Sequence, residues 1–333
     1  MCEEYNKKIM LLNLILLIIG LAVLIAGAEI LIRGSASLAK KMNIPPLVIG
    51  LTIVAFGTSA PEMTVNVFSA LRGASDIALG NIIGSNIANI LLILGVASII
   101  NPLRAQRSTV HKELPFSLLA VAVLLILGND VRLGNAPVNQ LSLSDGLILL
   151  SFFSIFLYYV FEMTRRKSKD DENGEEGEEI KIYPVWISVA MVVGGLIFLV
   201  GGGRILVDEA VILARLIGAS EALIGLTIVA IGTSFPELAT SIIAAYRHQD
   251  DIAIGNVVGS NIFNIFWILG LTSVISPIPF NPQIDADLLM VMLSTVILFL
   301  TFYVGKRHIL EKKQGAFLIL IYIAYMFFLF YRG

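Results

Sequence analysis

Apolar residues in this chain fall into stretches of about 20, separated by clusters of Gly, Pro, Asn or charge. An α-helix needs that length to cross a bilayer, so each stretch predicts one membrane span. Ten are expected, over 9–33, 46–71, 77–100, 113–129, 145–163, 184–208, 221–246, 252–275, 286–304 and 315–331. The first is too long for a signal-peptide core, and no small-residue cleavage site precedes the polar turn at Lys40 and Lys41, so it reads as a retained span. The one long polar run, RRKSKDDENGEEGEEIK from Arg165 to Lys181, lies between spans five and six. It divides the chain into a first five-helix repeat (1–163), a charged linker (164–183) and a second five-helix repeat (184–333).

The polar positions inside the spans are duplicated. Residues 50–102 return as 225–277, shifted by 175 positions, with about 30 of the 53 aligned residues identical. The first copy holds GLTIVAFGTSAPE and GNIIGSNIANI, the second GLTIVAIGTSFPE and GNVVGSNIFNI. The matches favour Gly, Thr, Ser, Pro, Glu and Asn over the apolar residues, which marks a true repeat. Five spans per half is an odd number, so the second half is threaded upside down and the repeat is inverted. Loops after odd-numbered spans carry 15 Lys and Arg, against 6 on the opposite side when Arg33 and Arg204 at helix ends are left out. The positive-inside rule then places the linker in the cytoplasm and both termini outside.

Composition agrees with this pattern. The 333 residues are 57% hydrophobic and 14% charged, with a mean hydropathy of +0.87, more than a soluble core of this size can bury. The expected fold is an all-α membrane protein of ten transmembrane helices in two inverted repeats, multi-pass in the plasma (inner) membrane. Cys2 is the only cysteine, which excludes a disulfide framework and a thiolate metal site. The net charge of −2 points to no partner. Lipid is the expected surroundings, no nucleic acid and no cofactor is expected, and no oligomeric state is assigned.

Glu62 and Glu237 sit near the middle of spans two and seven. An unpaired charge at such a depth costs about 2.5 to 3.5 kcal/mol on insertion scales. No Lys or Arg lies at comparable depth in the neighbouring repeat segments, so a bound cation is the natural counter-charge. Protonated glutamates hydrogen-bonded between helices are the structural alternative. Before each glutamate stand Gly57-Thr58-Ser59-Ala60-Pro61 and Gly232-Thr233-Ser234-Phe235-Pro236, where proline cannot donate to the carbonyl four residues back. Helices two and seven are therefore expected to be broken, with freed carbonyls and the hydroxyls of Thr58, Ser59, Thr233 and Ser234 available to a cation.

In spans three and eight, Gly80, Gly84 and Ser85 recur as Gly255, Gly259 and Ser260, a spacing whose ordinary meaning is close helix packing. Ser85 and Asn89 share a helical face, as do Ser260 and Asn264, giving each helix an oxygen-bearing side. Asn86 and Asn261 point about 100° away and read as hydrogen-bonding partners between helices. An all-oxygen set with no midplane His or Cys suits Ca²⁺ or alkali cations and disfavours zinc, copper or iron.

The paired GTSxPE and GNxxGSNxxN segments resemble the alpha repeats of the cation/calcium exchanger family, the sodium/calcium exchangers and their prokaryotic relatives, over nearly the whole chain. The resemblance implies exchange of sodium against Ca²⁺ by alternating access, with Glu62 and Glu237 as shared Ca²⁺ carboxylates. It further implies Thr58, Ser59, Thr233, Ser234, Ser85, Ser260 and the carbonyls of Ala55 and Ala230 as sodium or calcium ligands. Where this chain has Asn264, some members, the potassium-dependent exchangers among them, have aspartate, which argues against potassium co-transport. The large regulatory domains of animal exchangers have no room in so short a linker.

Proton/calcium exchange is an alternative in the same class, and a cation channel one in another. No nucleophile with a base or metal-bound water is visible, so an enzyme is not expected. The remaining charges read as structural: Asp76 and Asp251 as helix caps, Glu29 with Arg33 and Arg204 with Asp208 as i, i+4 pairs, and Asp170 to Glu179 as a solvated tether.

Overall fold

In the computed structural model, which describes residues 2–73, 75–134, 137–165, 181–216 and 232–332, the apolar stretches are helices. They are α1 (Cys2–Met42), α2 (Pro46–Thr58), α3 (Ala60–Leu71), α4 (Ile77–Ile100), α5 (Thr109–Leu127), α6 (Leu143–Arg165), α7 (Val185–Leu216), α8 (Phe235–Tyr246), α9 (Asp250–Ile275), α10 (Pro282–Thr301) and α11 (Lys312–Arg332). Among the described residues, eight helices are long and apolar enough to cross a membrane, and α2 with α3 makes a ninth, bent by 46° at Ser59. The first part of span seven and nearly all of the linker lie outside the described residues. Helix α1 runs past the expected end at residue 33, because residues 34–39 are buried: Ser37 Oγ meets Ser188 Oγ of α7 at 2.8 Å.

Helices α4 and α9 form the centre. The apolar stretch of α9 is 94% buried, against 22% for α11 at the edge. Central helices are largely covered by protein, which is why these two can carry buried serine and asparagine at membrane depth. Gly255 and Gly259 of α9 do the packing expected of their spacing: a Cβ on Gly259 would lie 2.8 Å from the Leu51 carbonyl oxygen of α2. Two short antiparallel ladders tie loops of the two halves together: β1 (Leu103–Arg104) with β4 (Ile309–Leu310), and β2 (Gln140–Leu141) with β3 (Ile278–Pro279).

Helices α1 and α7 lie against each other as an antiparallel pair, with Gly20 of α1 beside Leu206 and Gly34 beside Met191. Glycines on both helices let the backbones meet. A Cβ on Gly27 would sit 2.6 Å from the Leu199 amide, and one on Gly202 would sit 2.5 Å from the Leu24 amide. Backbone cannot yield as a side chain does, so any side chain here must force the pair apart. Replacing Gly202 by Ala should therefore lower stability by about 1 to 3 kcal/mol. The neighbouring Gly201 has open space around it, and Gly201→Ala should be neutral or stabilising by about 0.5 to 1 kcal/mol, since helical glycine is unfavourable. Thermal unfolding of the two variants in detergent compares them directly.

Candidate functional site

Span two is bent at Ser59, and the helices that carry the two glutamates begin alike. Ser59 (φ −82°, ψ 10°) precedes α3 and Ser234 (φ −87°, ψ 4°) precedes α8, each with proline in the first helical turn, where its missing N–H costs nothing. Glu62 and Glu237 fall in those same first turns, so each carboxylate stands at the positive end of a helix dipole. Both are 1% exposed.

Each half reaches the carboxylate of the other. Ser59 Oγ donates to Glu237 Oε1 at 2.9 Å and lies within hydrogen-bonding distance of Ser260 Oγ at 3.0 Å, whose proton it accepts. Ser234 Oγ donates to Glu62 Oε1 at 3.4 Å and in the same way meets Ser85 Oγ at 3.2 Å. The four serines and two glutamates thus form one cluster across the two halves. No salt bridge among the described residues involves either glutamate.

Beside it lies a frame of four asparagines. Asn86 Nδ2 donates to the Asn261 carbonyl at 3.2 Å, and Asn261 Nδ2 to the Asn86 carbonyl at 3.3 Å. Asn89 Nδ2 donates to Asn261 Oδ1, and Asn264 Nδ2 to Asn86 Oδ1, both at 2.9 Å. Asn86 and Asn261 are the interhelical partners expected of them. Asn89 and Asn264 spend their donors on this frame at the start of α4 and α9 π-helical turns, Asn89–Ile93 and Phe263–Leu269. Their Oδ1 atoms, like Glu62 Oε2 and Glu237 Oε2, are buried and accept no hydrogen bond among the described residues. Four acceptor oxygens, two from each half, therefore lie in low dielectric without a donor, which is costly unless a cation meets them.

Two residues that the sequence reading passed over complete the set. Asn256 of α9 accepts from Thr58 Oγ1 at 3.1 Å and donates to Ser241 Oγ at 3.0 Å and to the Glu237 carbonyl at 3.4 Å. Its counterpart Asn81 of α4 accepts from Thr233 Oγ1 at 3.2 Å. The signal was present: Asn81, Ser85 and Asn89 are spaced by four, and so are Asn256, Ser260 and Asn264. The Ala55 carbonyl accepts from the Ser59 amide at 3.0 Å and from Thr58 Oγ1 at 3.3 Å. Ala230 lies outside the described residues.

The other charges partly depart from expectation. Asp251 does not cap α9; the residue before that helix is Gln249, with no side-chain cap, and Asp251 instead accepts from Gln106 Nε2 of the loop between α4 and α5. Asp250 holds the same loop through the Arg104 amide at 2.9 Å. A loop packed across the helix start offers better donors than the helix's own first turn. The side chain of Asp76 lies outside the described residues. Glu29 pairs with Arg33 as expected and also with Arg247, at the end of α8.

The chain matches the family described as sodium/calcium exchanger protein over residues 12–162 and 187–331. It is 36% identical to the inner membrane protein YrbG of Escherichia coli K12, over 79% of each chain. It is 28% identical to the sodium/calcium exchanger MaX1 of Methanosarcina acetivorans, over 89% of this chain and 92% of that one. Its identity to the Ca²⁺/H⁺ antiporter ChaA of Bacillus subtilis is 26%, over 77% and 76%. A solved structure of the sodium-calcium exchanger NCX_Mj superposes with a TM-score of 0.79 at 30% identity, covering 95% of this chain and 98% of that one. Apolar helices, a shared membrane fold and a family match across both halves lead to one conclusion: the chain is an integral, multi-pass membrane protein that belongs to the sodium/calcium exchanger family.

Proposed function

We propose that this protein is a secondary antiporter that exchanges sodium against Ca²⁺ by alternating access, at one site shared by the two halves. The observation that carries the reading is the reciprocal contact of Ser59 with Glu237 and of Ser234 with Glu62, which gathers two acceptor-rich carboxylates in one buried cluster. Two carboxylates neutralise one Ca²⁺, and Ca²⁺ takes 6 to 8 oxygens. Glu62 and Glu237 supply the charge. Ser59, Ser234, Ser85, Ser260, Thr58, Thr233, Asn89, Asn264 and the carbonyls of Ala55 and Ala230 supply the remaining oxygens, shared differently when sodium replaces calcium. Asn89 and Asn264 keep the negative charge at two, which suits calcium against sodium without potassium.

On this reading the fold is ten spans in two inverted repeats, 1–163 and 184–333, with helices two and seven broken and the linker cytoplasmic. Both termini then face outward. Inversion supplies the second conformation, since exchanging the roles of two equivalent halves moves access from one side to the other. Similarity to a protein named a Ca²⁺/H⁺ antiporter favours one further reading, in which protons take the place of sodium on the same glutamates.

Radioactive calcium uptake into vesicles loaded with sodium, with a proton gradient, or with neither separates the two. Uptake driven by the outward sodium gradient is expected, and uptake that ignores sodium and follows protons would establish the second reading. Glu62→Gln and Glu237→Gln should each abolish exchange while eluting as monodisperse protein in detergent; near-normal transport by either would remove the glutamates from the site. Asn256→Ala leaves every proposed ligand in place but frees Thr58, and should weaken apparent calcium affinity by about 10- to 100-fold, the usual effect of losing a partner that orients a ligand.

A further inference from the structure

Residues 175 apart correspond in the two halves, so Glu29, Arg33 and Arg247 have Arg204, Asp208 and Arg72 as counterparts. The protein treats the two sets differently. Helix α1 packs along α8, whereas no comparable packing joins their counterparts α7 and α3 among the described residues. Across the α1–α8 contact Arg247 donates to Glu29 through Nε, at 3.2 Å, and through Nη2, with both side chains about three-quarters buried. Among the described residues Arg204 and Asp208 pair only with each other, at 3.7 Å, and are 82% and 63% exposed. Arg72 is exposed and in no salt bridge among the described residues.

The faces that lead away from the two glutamates differ in the same sense. On α8, Glu237, Thr240, Ala244 and Arg247 follow one another on one side of the helix. Thr240 and Ala244 are fully buried, and Thr240 Oγ1 has no hydrogen-bond partner among the described residues. The matching face of α3 reads Glu62, Val65, Ser69 and Arg72, with Val65 and Ser69 partly exposed. The face leading from the glutamates is therefore covered along α8 and partly exposed along α3. Were the molecule to adopt the mirrored arrangement, the position equivalent to Glu29 would present Arg204 to Arg72, a like-charge contact.

We propose that Glu29 and Arg247 form a one-sided latch that keeps the linker-side route closed, and that Arg204 denies the mirrored conformation an equivalent. The resting protein is then biased toward facing away from the linker, a preference that the duplicated core by itself does not supply. The latch takes its meaning from the alternating-access reading, but it is observed through conformation and not through ion flux.

The full chain carrying Cys2→Ser and Ala244→Cys, reconstituted in vesicles, places a single thiol on the closed route. A membrane-impermeant maleimide applied on the linker side should label it slowly. Glu29→Gln, which opens the latch, and Arg204→Glu, which gives the mirrored state its missing acid, should each raise the labelling rate by about fivefold, the lower end of ordinary conformational coupling. Because Arg204 is exposed, its variant tests the idea even where Glu29→Gln folds poorly. Exchanging the charges, Glu29→Arg with Arg247→Glu, should restore slow labelling. Rates in the two single variants that stay at the parent value would overturn the latch, whatever cation is carried. Failure of the Cys2→Ser chain to take up calcium under a sodium gradient would count against the exchange reading and leave the labelling result standing.

Discussion

Two carboxylates buried within one cluster, with no lysine or arginine among the described residues to balance them, are the constraint around which the rest of this molecule is arranged. Each costs several kcal/mol to take out of water, and like charge raises the cost further. The fold answers with directed dipoles. Glu62 and Glu237 occupy the first turns of α3 and α8, and each receives a serine hydroxyl from the opposite half. These contacts reduce the penalty without removing the charge. A fixed ammonium or guanidinium would remove it permanently and leave nothing for a mobile ion to do. The unfilled acceptor capacity of Glu62 Oε2, Glu237 Oε2, Asn89 Oδ1 and Asn264 Oδ1 is therefore the useful part of the design.

Keeping such a site dry of competing donors requires rigid surroundings. The asparagine frame does this by consuming its own amide groups: all four Nδ2 atoms donate across the interface between α4 and α9, so the Oδ1 atoms of Asn89 and Asn264 are left over. Asn256 and Asn81 act through their Oδ1 atoms, which accept from the Thr58 and Thr233 hydroxyls and fix them from behind. Burial of α9 over nearly its whole length makes this polarity tolerable, since none of it faces lipid. Glycines at Gly255 and Gly259 bring the broken helix α2 close enough for the contacts to form.

Much of this was legible in the sequence because duplication separates signal from composition. Apolar residues recur in any membrane protein, but a glutamate recurring beside GTS and P at the same spacing does not, and those positions are the ones that meet across the two halves. Less legible was whatever depends on which side of a helix faces a neighbour. Asn81 and Asn256 stood in plain view within GNIIGSN and GNVVGSN, yet one more asparagine in a polar motif carries no direction until the i, i+4 face is followed through. Asp251 looked like a cap by its position alone, and a loop packed from the other half claimed it. The reach of Arg247 to Glu29 joins residues 218 apart and has no local signature.

Symmetry itself then has to be broken somewhere. If the halves were identical, the molecule and its mirrored conformation would have equal energy, and neither side of the membrane would be favoured. The serines, glutamates and asparagines that meet in the cluster are the same in both repeats, as the proposed exchange requires of two halves that hold one ion in either conformation. Helices α1 and α7 touch the site segments from outside and carry no such requirement. There the charges are reversed, Glu29 with Arg33 against Arg204 with Asp208, while the arginines they would meet, Arg247 and Arg72, are the same. A conserved partner facing an inverted charge stabilises one arrangement and penalises the other. On the proposed reading the charge reversal thus falls on elements that supply no ligand, so that one chain combines an even-handed binding site with a preferred direction in which to wait.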